Sequence, residues 1–83
     1  METILELLNR VRWGKKENPH DYTIYYEDRI TENNIGIQFT DIKRIEGNFF
    51  VIILESGETS IPLHRIREVR KQGVTVWKRM LDK

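Results

Sequence analysis

Two short segments carry the side chains best suited to chemistry. The first is Ile61-Pro62-Leu63-His64-Arg65-Ile66-Arg67. An arginine presents a planar fork of donors that fits two oxygens of one phosphate, and a neighbouring imidazole adds a further donor. Pro62 stiffens the approach to the pair by fixing its own φ. His64 and Arg65, with Arg67 beside them, therefore spell an anion site. The plainer alternative is a turn in which His64 meets local backbone and Arg65 is simply solvated. The second segment is Asp28-Arg29. Neighbours in a continuous strand point to opposite faces, so these two serve one site only where a bulge or a strand end falls between them. Asp28 would then orient an arginine or accept a hydroxyl; the alternative is a structural ion pair.

Complete catalytic sets are poorly represented. Acid–base cleavage of a phosphodiester needs two positioned proton carriers, and the two histidines are His20, in a proline-containing loop, and His64. Glu27 and Asp28 diverge along a strand, which disfavours a two-carboxylate metal site. The chain has no cysteine, which removes thiolate chemistry and sulfur-ligated zinc, and it lacks a glycine-rich phosphate loop. These residues suit binding better than catalysis, with no cofactor and no metal expected. If the protein is an enzyme, His64 is its general acid or base.

Charge points the same way. From Ile61 to Lys83 there are seven basic residues (Arg65, Arg67, Arg70, Lys71, Lys78, Arg79, Lys83) against Glu68 and Asp82, a local balance of +5 in a chain whose total is +1. One reading is a polyanion-binding surface; the other is a solvated edge whose charges repel foreign strands. With 83 residues the chain makes one domain with a modest core. The longest apolar run, Phe49 to Leu54, is far too short to cross a bilayer. Acids interrupt the apolar start METILELLNR where a signal peptide would be continuous. A cytoplasmic setting, without membrane contact, is the expectation.

Positioning falls to an N-terminal helix and a β-rich remainder. Ile4, Leu8 and Val11 make one helical stripe, widened by Leu5 and Leu7. Thr3 and Glu6 have capping-box spacing, and Gly14 is a natural stop, giving a helix over about 3–13. From Tyr22 the period becomes two and runs through Arg29. Glu32-Asn33-Asn34 turns the chain into a strand carrying Ile35, Ile37 and Phe39, and Phe49–Leu54 reads as a central strand buried on both faces. Ser56-Gly57 makes a hairpin into Thr59–Leu63, and Gln72-Gly73 joins strands at 66–71 and 74–80, the former with helix as its alternative. An internal echo links Ile37–Ile45 to Ile61–Val69, each a strand, a tight turn and an apolar continuation. Thr40-Asp41 fill the first turn with ordinary turn residues, whereas His64-Arg65 fill the second without being needed for it. The fold class is α+β: one helix on a small, curled, mainly antiparallel sheet, with closure into a barrel as one way to hide its edges. Trp13 and Trp77 read as core residues, and one of Tyr25 and Tyr26 must face outward. Tyr26 and Trp77 are candidates for stacking on bases.

The sequence resembles a small archaeal family, the RNA cyclic group end recognition domain, formerly grouped as an uncharacterised protein family. The resemblance rests on Ile61-Pro62-Leu63-His64-Arg65-Ile66, on Gly73 followed by Val76-Trp77-Lys78-Arg79, on Leu8-Asn9-Arg10-Val11-Arg12-Trp13 and on Tyr26-Glu27-Asp28-Arg29. It covers nearly the whole chain. It implies recognition of RNA ends carrying a 2′,3′-cyclic phosphate, with Asp28, Arg29, His64 and Arg65 as the polar residues of the site. Arg67, Arg70, Lys71, Lys78 and Arg79 are then expected to follow the RNA backbone. Family members occur fused to RNA-end processing modules, which implies RNA processing or repair proteins as further partners. One departure is Ile30, where many members have Gly or Phe, and it bears on the shape of the pocket wall. Beside binding, two other readings stay open: an end-processing phosphoesterase or nuclease using His64, and a protein–protein adaptor.

Overall fold

A computed structural model describes residues 2–79 of the chain. Helix α1 spans Ile4–Trp13 and is followed by seven strands: β1 (Tyr22–Glu27), β2 (Asn34–Gln38), β3 (Ile42–Glu46), β4 (Phe49–Leu54), β5 (Gly57–Pro62), β6 (Ile66–Lys71) and β7 (Val74–Lys78). The capping box at the start of α1 is formed: Glu6 N–H donates to Thr3 Oγ1 at 3.1 Å, and Thr3 N–H donates to Glu6 Oε1 at 2.8 Å. At the other end Gly14 N–H closes on Arg10 O at 2.8 Å. A Cβ at position 14 would lie 2.3 Å from that carbonyl oxygen, so the stop needs glycine for space, not for a left-handed backbone.

The α+β class expected from the sequence holds, one N-terminal helix with antiparallel strands, and the strands divide into two sheets without barrel closure. Their strand orders are β2-β1-β6-β7 and β3-β4-β5. The chain leaves the first sheet for the second at a one-turn 3₁₀ helix, Phe39–Asp41, and returns at another, Leu63–Arg65. These are the two turns of the internal echo. A repeat in sequence therefore marks the two places where the chain changes sheets. Each turn buries its leading apolar residue, Phe39 or Leu63, in one core shared with Ile4, Leu7, Leu8 and Val11 of α1 and with the inward residues of both sheets. Tyr22 meets Phe39 edge-on at 6.4 Å between ring centres, and Tyr26 meets Phe50 at 6.0 Å.

Segment 66–71 is a strand, paired on one side with β1 and on the other with β7. Gln72 and Gly73, with φ of 51° and 84°, make the tight reversal between β6 and β7. Four expectations need correction. β1 ends at Glu27, because Asp28 begins a turn in which Asp28 N–H donates to Asn33 O and Asp28 O accepts from Glu32 N–H, both at 2.8 Å. Phe39 belongs to the crossover turn, not to the strand before it. The run FFVIIL is buried at Phe50, Val51 and Ile52 only, since a three-stranded sheet leaves Phe49, Ile53 and Leu54 at its ends exposed. Trp13 is 73% exposed. It sits two residues beyond Val11, about 200° round the helix from the apolar stripe.

Candidate functional site

Asp28, Arg29 and Arg65 line one hollow of about 370 Å³ together with Tyr26, Glu27, Leu54, Thr59, Ser60, Ile61 and Pro62. Four parts of the chain build it: the end of β1 with the two residues after it, the end of β4, the strand β5, and the second crossover turn. β1 stops where it does because Asp28 turns its carboxylate back on the chain. Its Oδ2 accepts from Thr31 N–H and from Thr31 Oγ1, each at 2.9 Å. Those bonds, with Arg65 nearby, hold the Asp28 carboxyl below its ordinary value. Opposed strand faces no longer separate Asp28 from Arg29, because neither lies in a strand. Tyr26 projects from the buried face of β1, and burial together with the Asp28 charge pushes its phenol up.

The crossover turn is held from outside. Ile66 N–H closes it on Leu63 O, Arg67 Nη1 donates to His64 O at 3.1 Å, and Arg79 Nη2 reaches Leu63 O at 3.3 Å. Neither the His64 nor the Arg65 side chain is spent on the turn. The two diverge: Arg65 enters the hollow with Asp28 and Arg29, while His64 lines an adjoining depression with Thr3, Ile4, Leu5, Asn48, Leu63 and Arg79. The structure thus brings together three of the four polar residues singled out in the sequence and sets His64 on the other flank of its turn.

The basic residues of the C-terminal third have mixed surroundings. Arg67 is the extra residue of a bulge in β6, where Tyr25 faces Glu68 and Tyr26 faces Ile66, and the bulge aims it at Glu27, 2.6 Å away. Arg70 pairs with Glu68 at 2.8 Å and lies over the Tyr25 ring. Lys71 pairs with Glu17 at 3.4 Å. Arg79 is drawn onto backbone carbonyls, and burial followed by the neighbouring Arg67 pulls its guanidinium down. Arg67, Lys78 and Arg79 share a separate hollow with Glu27, Glu32, Asn33 and Asn34. In contrast, Arg29 and Arg65 take part in no ion pair among the described residues.

Both stacking candidates are largely committed to structure. Tyr26 is 9% exposed against Phe50, so Tyr25 is the outward member of the pair. Trp77 packs on the core, donates from Nε1 to Glu2 O at 3.0 Å and carries Arg79 over its ring. Ile30, expected to bear on the pocket wall, is 90% exposed and lies outside the lining. Thr59, Ser60 and Leu54 form wall that sequence reasoning passed over. The available signal was the pair of hydroxyls just ahead of Ile61-Pro62, on the approach to His64-Arg65.

A family model for the MJ1316 RNA cyclic group end recognition domain matches residues 1–79. The chain belongs to that family. Its curated relatives include UPF0248 protein SSO2687 of Saccharolobus solfataricus, 39% identical over 79 residues, which are 92% of this chain and 95% of the relative. UPF0248 protein LS215_2790 of Saccharolobus islandicus is 33% identical over 79 residues, 92% of this chain and 98% of its own length. UPF0248 protein PYRAB10580 of Pyrococcus abyssi is 39% identical over 77 residues, 90% and 87% of the two chains. No solved structure matches this member of the family. Among its described residues no helix is long and apolar enough to cross a membrane, and no three His, Cys, Asp or Glu side chains gather as metal ligands.

Proposed function

We propose that this chain is an RNA-binding module that receives RNA 3′ ends carrying a 2′,3′-cyclic phosphate in the hollow of Asp28, Arg29 and Arg65. The carrying observation is that two arginines that make no ion pair among the described residues, from separate parts of the chain, line one concavity with the Asp28 carboxylate beside them. Arg29 and Arg65 hold the phosphate oxygens, which suit guanidinium geometry. Asp28 stays ionised and orients Arg65, or accepts a ribose hydroxyl from the preceding nucleotide. His64, across the turn, meets the adjoining phosphodiester. The family description, which names RNA cyclic group end recognition, supports the same ligand.

A cyclic phosphate bears one negative charge and leaves no free hydroxyl on its own ribose. Discrimination therefore comes from shape, through Leu54, Ile61 and Pro62, and from the Thr59 and Ser60 hydroxyls on the wall. The test compares one short RNA ending in a cyclic phosphate, a linear 3′-phosphate or a hydroxyl. The cyclic end binds tightest, and Arg65→Ala weakens it. Equal affinity for all three ends would remove end recognition from the reading. Ring opening by the purified protein, abolished in His64→Ala, would replace binding by catalysis.

A further inference from the structure

An exposed indole is costly on a domain this small, and Trp13 is neither core nor cap. Its ring stands at the end of α1 with the Arg12 guanidinium carbon 5.4 Å from the ring centre. Arg12 is itself pinned, its Nη2 donating to Lys43 O at 3.1 Å. Around the pair lies a hollow of about 350 Å³ lined by Leu5, Asn9, Arg44, Ile45 and Gly47. Arg44 is neutralised by Glu46 and Glu58. Arg12, in the lining, and Lys15 and Lys16, which follow Trp13 in the chain outside the lining, take part in no ion pair among the described residues. An aromatic face, an amide at Asn9 and uncompensated positive charge are the chemistry that stacks a base and reads its edge beside a phosphodiester.

The position of this hollow matters as much as its contents. It shares Leu5 with the depression that holds His64 and Arg79, and Gly47 of one is followed in the chain by Asn48 of the other. That depression in turn flanks the crossover turn whose Arg65 enters the phosphate hollow. The alternative track, along β6 and β7, offers Arg67, Arg70 and Lys71 already bound to Glu27, Glu68 and Glu17. We infer that single-stranded RNA leaves the phosphate hollow over His64 and reaches the end of α1, where an upstream base stacks on Trp13. This rests on the reading of the Asp28–Arg29–Arg65 hollow as the RNA-end site.

The experiment pairs two variants with two ligands, a cyclic-phosphate mononucleotide and an oligonucleotide of about ten residues with the same end. Trp13→Ala weakens the oligonucleotide by roughly 5- to 150-fold, the range of one lost base stack, and leaves the mononucleotide unchanged. Arg65→Ala weakens both. In Trp77→Phe, where Trp13 is the one remaining indole, the oligonucleotide quenches emission and the mononucleotide does not. Unchanged oligonucleotide affinity in Trp13→Ala, alongside a weakened Arg65→Ala, overturns the inference while sparing the end site; the indole then belongs to a protein contact. A weakened Trp13→Ala with an unaffected Arg65→Ala does the reverse, keeping the stacking site and removing the end site.

Discussion

The two crossover turns, Phe39–Asp41 and Leu63–Arg65, share one backbone plan and differ in what their side chains are left to do. Each is a single 3₁₀ turn that moves the chain between sheets. Each leads with a buried apolar residue and is followed by a strand whose second residue, Lys43 or Arg67, is skipped by the pairing register. Both skipped residues are basic, and both pair with a glutamate, Glu58 and Glu27 respectively. In the first turn Asp41 closes the structure from within, accepting Gln38 N–H at 3.1 Å. In the second, support comes from Arg67 and Arg79 donating to its carbonyls, which leaves His64 and Arg65 unspent. Residues relieved of a structural duty are the ones available to a ligand.

Substitutions in the two turns can break this comparison. Phe39→Ala and Leu63→Ala remove the equivalent anchors, and each should lower stability by about 2–5 kcal/mol in denaturant unfolding. A small effect at either would mean that the turns are not equivalent. Arg65→Ala should leave stability within about 0.5 kcal/mol of wild type, because the side chain holds no bond in the turn. It should weaken cyclic-phosphate RNA by roughly 10- to 150-fold, the loss of charge-assisted hydrogen bonds. Asp41→Ala should show the opposite pattern, with about 1 kcal/mol of stability lost and RNA affinity retained. Parallel loss of binding in both variants would show that the second turn contributes shape and not side chains.

The smallest effect sharpens the account of Asp28. Thr31→Ala removes one of the hydrogen bonds that hold its carboxyl low, so the Asp28 pKa should rise toward the ordinary value in an NMR titration. The sign follows from linkage. A depressed folded-state pKa gives stability that is complete above the unfolded value and is lost as pH falls through the folded one. Glu6, Glu17, Glu58 and Glu68 are held low in the same sense. Stability should therefore decline on acidification below the ordinary carboxylate range, with a slightly smaller Asp28 contribution in Thr31→Ala.

Elements governed by near neighbours were legible in the sequence. The helix could be read because Thr3, Glu6 and the Ile4–Val11 stripe act within a few residues of one another. The Gln72-Gly73 reversal and the echo around Thr40-Asp41 and His64-Arg65 were legible for the same reason. Local patterns have a short range: the apolar character of Trp13 predicts burial although the residue faces away from the stripe, and the alternation of β1 predicts a strand through Asp28 although that carboxylate ends it.

Pairing between distant strands was a different matter, because hydrogen bonds along a strand edge are nearly indifferent to which sequence supplies the partner. β1 takes β2 on one side and β6 on the other, and this choice sets Arg67 against Glu27. The split into two sheets, meeting at the two crossover turns, brings Asp28 and Arg29 to Arg65 and turns His64 aside. From its own residues the chain fixed which groups could hold a phosphate. Only the tertiary structure decided which of them meet and which are already neutralised by a carboxylate, since both depend on contacts between segments far apart along the chain.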